Sequence, residues 1–178
     1  MKKIMLVMAL TTAILFSHAQ KGVNYIGLAA EVGLPVGDFG DAVNVGFGGS
    51  LKALLGVTEA GQVSFTTGYT SYGIKGLSGT GYKAHYAIAP LLLGYRHNFS
   101  GLFLEPQAGM AIYSAKASGG GMSGSDSKAA FTWAMGIGYV VNSVEFGVRY
   151  QSGKINDADS PFSIVGIHVG YNFSLKRK

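Results

Sequence analysis

The chain of 178 residues contains no cysteine, only four prolines and one tryptophan, and just 13% charged residues. Without cysteine there is no disulfide framework, no thiolate metal site and no attachment point for a lipoprotein anchor. Scarce proline and the lack of a G-X-Y period exclude collagen. After the N-terminal region, no apolar run approaches the roughly 20 residues that a membrane-spanning helix requires. Few charges, 48% hydrophobic residues and a mean hydropathy of +0.27 exclude a disordered chain. The formal net charge of +5 is not spread over a face, because Lys2, Lys3, Lys176, Arg177 and Lys178 sit at the two ends. A nucleic-acid partner, which calls for a basic face or stripe, is therefore not expected.

What is abundant is glycine, 28 residues, with ten Tyr and ten Phe. Glycine in a helix interior costs about 1 kcal/mol relative to alanine, so this composition favours β structure. Residues 1–19 have the layout of a cleaved secretory signal peptide. Lys2 and Lys3 precede an apolar run over residues 4–16, and Ser17-His18-Ala19 places small residues before a cut ahead of Gln20. The expected organisation is a signal peptide at 1–19 and one domain at 20–178. Its mature charge is +3.

That domain alternates with period 2, the signature of strands. Eight segments are legible. Ile26, Leu28, Ala30, Val32 and Leu34 share one face of the first; Tyr25, Gly27, Ala29, Glu31 and Gly33 share the other. The sixth is clearest, with Phe131, Trp133, Met135, Ile137, Tyr139 and Val141 opposite Thr132, Ala134, Gly136 and Gly138. In the fourth, Tyr86 and Ile88 are out of phase with Leu91, Leu93 and Tyr95. Pro90 lies between them, and proline cannot donate to a ladder, so a one-residue bulge is expected there. Such a bulge would put both apolar sets on one face. Connections after segments two, four and six are tight, whereas those over residues 35–42, 118–128 and 153–161 are longer and rich in Gly, Ser and Asp. Short turns at one end and long loops at the other describe an all-β, eight-stranded antiparallel up-and-down transmembrane barrel.

A soluble barrel alternates too, but points its apolar residues inward. The charges separate the two cases. Glu31, Lys52, Arg96, Glu105, Glu145 and Arg149 all fall opposite the main apolar set. An almost uncharged apolar face is expected where strands meet hydrocarbon, because Arg or Lys at mid-depth costs about 2–4 kcal/mol. The six inward charges balance, and we expect a structural network that neutralises a narrow lumen; the alternative role is gating of a pore.

The chain resembles the small outer-membrane β-barrel proteins of Bacteroidetes-type bacteria, porin-like barrels distantly analogous to OmpX and OmpA. The resemblance rests on the signal-peptide cut before Gln20, on Gly33-Leu34-Pro35-Val36-Gly37-Asp38-Phe39, and on Ala89-Pro90-Leu91-Leu92-Leu93-Gly94-Tyr95-Arg96. The C-terminus is similar to the signal read by the barrel-assembly machinery, with His168, Gly170, Phe173 and Leu175 at the matching spacing, although Lys176-Arg177-Lys178 follows. What the resemblance implies is a monomer in the outer membrane of a Gram-negative envelope, in contact with the lipid bilayer and lipopolysaccharide.

Other chemistry is weakly signalled. All five aspartates (Asp38, Asp41, Asp126, Asp157, Asp159) are expected in outer loops, where turn preference accounts for them. The Asn156-Asp157-Ala158-Asp159-Ser160 stretch lacks the glycine and terminal Glu of a calcium loop. Apart from His18 in the signal peptide, the histidines are His85, His97 and His168, without metal-ligand spacing. His85 and His168 are able to face inward, as are Ser50 and Ser64, but no nucleophile, base and carboxylate converge in the pattern. Gly119-Gly120-Gly121 reads as a flexible loop, not a phosphate cradle. We therefore expect no cofactor, no metal and no enzymatic activity. The expected function is structural or surface interaction through the outer loops. The alternatives are a narrow channel for small solutes and a lipid-modifying barrel enzyme.

Overall fold

Alternating apolar and small or polar residues can satisfy two different environments only if the strands form one continuous sheet. The computed structural model describes residues 23–76, 83–119, 122–155 and 160–175. The signal segment 1–19, Gly120 and Gly121, residues 156–159 with Asp157 and Asp159, and the tail Lys176-Arg177-Lys178 lie outside the described residues. The strands are β1 Tyr25–Val36, β2 Val43–Gly56, β3 Gly61–Ile74, β4 Lys83–Phe99, β5 Leu102–Gly119, β6 Met122–Val141, β7 Val144–Gly153 and β8 Phe162–Ser174. A short helix, α1 (Asp38–Ala42), joins β1 to β2. Each strand pairs antiparallel with its chain neighbour. β1 pairs with β8 from Tyr25↔Ser174 to Val36↔Ser163, which closes the barrel.

The side-chain phase follows the alternation. On β6, Phe131 is 64% exposed and Ile137 50%, whereas the intervening Thr132 is 0% and Ala134 2%. The tight connections sit where expected. Ser100 (φ 54°) and Gly101 (φ 104°) are both left-handed, as a two-residue turn needs if its twist is to match the sheet. Asn142 (φ 58°) opens the corresponding turn between β6 and β7.

Three features depart from the sequence expectation. First, there is no bulge at Pro90. Ala89, Pro90 and Leu91 pair in unbroken register with Ile112, Ala111 and Met110, and the ladder to β3 steps from Thr67↔Leu91 to Thr70↔Ile88 with its register unchanged. The strand tolerates the missing donor without inserting a residue. Tyr86 and Ile88 therefore stay in phase with Leu92 and Arg96 and face inward. His85 is consequently exposed on the outside.

Second, the long loop expected over residues 118–128 is a hairpin. β5 and β6 stay paired out to Gly119↔Met122, with the Ser114 and Ser127 hydroxyls 2.8 Å apart. Asp126 accordingly sits on a strand, not in a loop. β7 first meets β6 at Thr132↔Gly153, so this hairpin projects beyond that neighbour. Its Ser, Gly and Asp content resembles a loop, yet backbone pairing to an adjacent strand is enough to keep it extended.

Third, the β1–β2 connection folds inward. α1 lowers Phe39 into the barrel mouth, where the ring is 5% exposed and meets Tyr72, Tyr86 and Phe162 edge-on at 5.5, 6.0 and 5.1 Å. An irregularity between Val43 and Gly46 also turns Val43 inward. Phe39, Val43, Tyr72, Ile88, Ala111, Tyr113, Ala130 and Ile164 make an apolar core in the long-connection half of the interior. Tyr72 lies flat against Gly33 and Gly46, where any Cβ would collide with its ring.

Removing the plug tests this core. Phe39→Ala is expected to lower the unfolding free energy by about 3 kcal/mol, measured by urea denaturation in detergent micelles with Trp133 fluorescence. An unchanged midpoint would show that the ring contributes nothing to the core.

Candidate functional site

The other half of the interior is charged. Period 2 sends Lys52 from β2, Arg96 from β4, Glu105 from β5 and Glu145 from β7 to the same space. The Arg96 guanidinium donates to both carboxylates, from Nη2 to Glu105 at 2.7 Å and from Nη1 to Glu145 at 2.7 Å, with further bonds of 3.1 and 2.9 Å. It stacks over the Phe103 ring, 3.7 Å from Cζ to the centroid. Lys52 Nζ reaches Glu105 at 2.9 Å and Glu145 at 3.3 Å. Arg149 pairs separately with Glu31, its Nη2 donating at 2.8 and 2.9 Å. All six charges singled out in the sequence are thus inside, four in one cluster and two as a pair.

Neutral groups complete the cluster. Gln107 Nε2 donates to Glu105 at 3.0 Å and to Thr66 Oγ1 at 2.8 Å. Asn172 Nδ2 donates to Glu145 at 2.9 Å, and His168 Nε2 lies 3.1 Å from the same carboxylate. Such saturation matters because a buried charge is costly unless it is paired and its remaining sites are hydrogen-bonded. Sequence pattern does not single out Thr66, Gln107 or Asn172 as part of this network. Their only signal is a polar side chain at an inward phase.

The four residues of the C-terminal spacing divide between the two faces. His168 and Gly170 point inward, and Phe173 is exposed on the outside of β8. Leu175 is exposed just past β8, its backbone N–H bonded to the Asn24 carbonyl at 2.8 Å. Ser50 and His168 border one small void, whereas Ser64 is fully buried on β3 and His97 lies outside between Tyr95 and Phe99. Asp38 accepts a hydrogen bond from Ser160. Among the described residues, no group of three or more imidazoles and carboxylates is placed to hold a metal ion.

Free space is found at the two ends. A bowl of about 240 Å³ opens at the short-turn end, bordered by Tyr25, Gln62, Arg96, Asn98 and Asn142. Another of about 190 Å³ opens at the opposite end beside Tyr86, Tyr113 and Phe162. Between them lie two voids of about 10 Å³ each, one beside Lys52, Glu145 and His168 and one beside Glu31, Tyr72 and Arg149. Each is near the lower limit for a single water.

No family profile and no curated protein matches the sequence. Solved structures do. Ail, the attachment invasion locus protein of Yersinia pestis, superimposes with a TM-score of 0.65 at 17% identity, over 85% of this chain and 99% of that one. The N-terminal β-barrel domain of Pseudomonas aeruginosa OprF gives a TM-score of 0.62 at 17% identity, over 86% and 100%. Neisserial surface protein A gives 0.58 at 15% identity, over 86% and 100%. The fold is that of small outer-membrane barrels. At these identities the likeness is one of fold.

The charge cluster predicts a non-additive result. Arg96→Met leaves two buried carboxylates sharing Lys52 and is expected to cost about 3–5 kcal/mol. The quadruple variant Lys52→Met, Arg96→Met, Glu105→Gln, Glu145→Gln removes all four charges together and should regain most of that loss. Urea midpoints in micelles make the comparison, and a quadruple variant no more stable than the single one would contradict it.

Proposed function

We propose that the chain is a non-enzymatic outer-membrane barrel with a closed interior, which presents its projecting end as a surface for interaction. One observation carries this reading: the apolar residues point outward and the charges inward. Phe47, Leu93 and Phe131 are 67%, 61% and 64% exposed, while Arg96 and Glu105 are 1% and 2%. Among the described side chains, the outward strand positions carry no Asp, Glu, Lys or Arg except Lys116 on the projecting hairpin. In water such a belt would be an aggregation liability; in hydrocarbon it is the required surface. Ring pairs such as Trp133–Tyr150 and Tyr171–Phe173, at 5.4 and 4.7 Å, suit interfacial girdles near the two ends of the belt. The fold shared with outer-membrane barrels agrees with this location.

In this reading residues 1–19 direct export. His168, Gly170, Phe173 and Leu175 are read by the barrel-assembly machinery, and the mature monomer contacts lipid and lipopolysaccharide. The filled interior favours a closed barrel over a solute channel, because the voids between the two bowls hold about one water each.

Two measurements test the proposal. The protein should fractionate with the outer membrane and migrate differently on gels before and after boiling. In planar bilayers it should give no discrete single-channel steps. A soluble periplasmic product would overturn the membrane placement, and reproducible steps would overturn the closed interior.

A further inference from the structure

The outward face changes character above the apolar belt at the long-connection end. On β5 the belt runs through Met110 and Ile112, and on β6 through Trp133 and Phe131, all exposed. Beyond them the same outward phase carries Ser114, Lys116 and Ser118 on β5, and Ser125 and Ser127 on β6. Register sets these side by side: Ser114 opposes Ser127, and Lys116 opposes Ser125. On its other flank Lys116 opposes His85 of β4. Both side chains are exposed, and directly opposite residues hold their Cβ atoms about 4.5–5.5 Å apart. Among the described side chains, no outward strand position carries a carboxylate; Asp126 borders the barrel mouth instead.

Depth decides what this patch meets. Two strand residues rise about 7 Å, and a strand tilt of about 35–45° reduces that to roughly 5 Å along the membrane normal. Ser114 therefore stands about 5 Å above Ile112, and the Lys116 backbone about 10 Å above it. The headgroup layer is about 5–8 Å thick on each side of the hydrocarbon. The Lys116 ammonium, on its flexible four-carbon stem, reaches into that layer. A cation beside an imidazole, with no carboxylate on its face, suits a phosphate oxygen. The serines narrow the choice further. A glycerophospholipid ends near its phosphate, whereas a phosphorylated glycolipid continues in sugars that need hydrogen-bond partners above it. The Ser114 and Ser127 hydroxyls, 2.8 Å apart, keep acceptor capacity for such a sugar, and Ser118 and Ser125 extend the row outward.

We propose that the outward face of β4, β5 and β6 at this end holds a phosphorylated glycolipid of the outer leaflet, with Lys116 and His85 on its phosphate and the serine row along its sugars. Its acyl chains then descend over Ile112 and Met110. The proposal rests on the outer-membrane reading and deepens the lipopolysaccharide contact named there, by assigning it side chains and the group they bind.

The test uses the full mature chain in non-ionic detergent micelles. It is titrated with bis-phosphorylated lipid A, with the same lipid after enzymatic dephosphorylation, and with phosphatidylglycerol. Native mass spectrometry counts the lipid retained. Bis-phosphorylated lipid A should bind at least tenfold more tightly than either of the others. Lys116→Glu should abolish that margin, as should Lys116→Ala combined with His85→Ala, whereas Lys116→Arg should keep it. Both positions are exposed, so these variants keep the fold, which unchanged heat-modifiable mobility would verify. The proposal is overturned if removing the phosphates leaves binding unchanged, if phosphatidylglycerol binds as tightly as lipid A, or if Lys116→Glu retains lipid A as wild type does. Fractionation with the outer membrane reports separately on the membrane placement, so the site and the placement fail independently.

Discussion

Closure of the sheet by β1 against β8 is the constraint from which the other features follow. Twelve residue pairs, from Tyr25↔Ser174 to Val36↔Ser163, join the two ends of the chain and leave the barrel without an open edge. In hydrocarbon an open edge would expose unpaired amides at several kcal/mol each. An eight-stranded barrel, once closed, has an interior only wide enough for side chains to fill. The charges that the strands turn inward, such as Arg96, Glu105 and Glu145, must then find their partners inside a fixed and narrow space.

Two solutions divide that space along the barrel axis. Toward the short turns the interior is ionic, with Arg96 bridging Glu105 and Glu145 and with Lys52, Gln107, His168 and Asn172 completing their hydrogen bonds. Toward the long connections it is apolar, with Phe39 lowered onto Tyr72, Tyr86 and Phe162. The Arg149–Glu31 pair lies beside the void that also borders Tyr72 and Ile88, where the two regimes meet. Small residues make both regimes possible: Tyr72 fits only because Gly33 and Gly46 carry no side chain. The glycine excess in the composition therefore has a packing cause as well as a conformational one.

Much of this architecture is legible in the amino-acid sequence. Strict alternation in residues 131–141 and the placement of Glu31, Lys52, Arg96, Glu105, Glu145 and Arg149 opposite the apolar set are enough to set the strand phase. They also put those charges in one interior. The features that escape the sequence depend on long-range packing. Pro90 signals a bulge locally, but β5 pairs through it and holds the register. That continuity turns Tyr86 and Ile88 inward, against the simple rule that apolar residues face out. Residues 118–128 read as a loop by composition, whereas strand pairing extends them. Phe39 carries no local sign that its ring plugs the mouth, because that depends on aromatic partners from β3, β4 and β8. Partner identities in the charge network, such as Gln107 on Glu105, are likewise fixed by register across strands.

The central claim is that outward residues meet lipid while inward ones are sealed from both solvents. The absence of cysteine makes single-cysteine spin labelling free of background. Labels placed in turn at Phe131, Thr132, Trp133 and Ala134 in lipid vesicles would report access to oxygen and to a water-soluble nickel chelate. The account predicts that positions 131 and 133 are open to oxygen and closed to the chelate, and that 132 and 134 are shielded from both. Chelate access at 131 and 133 would contradict it.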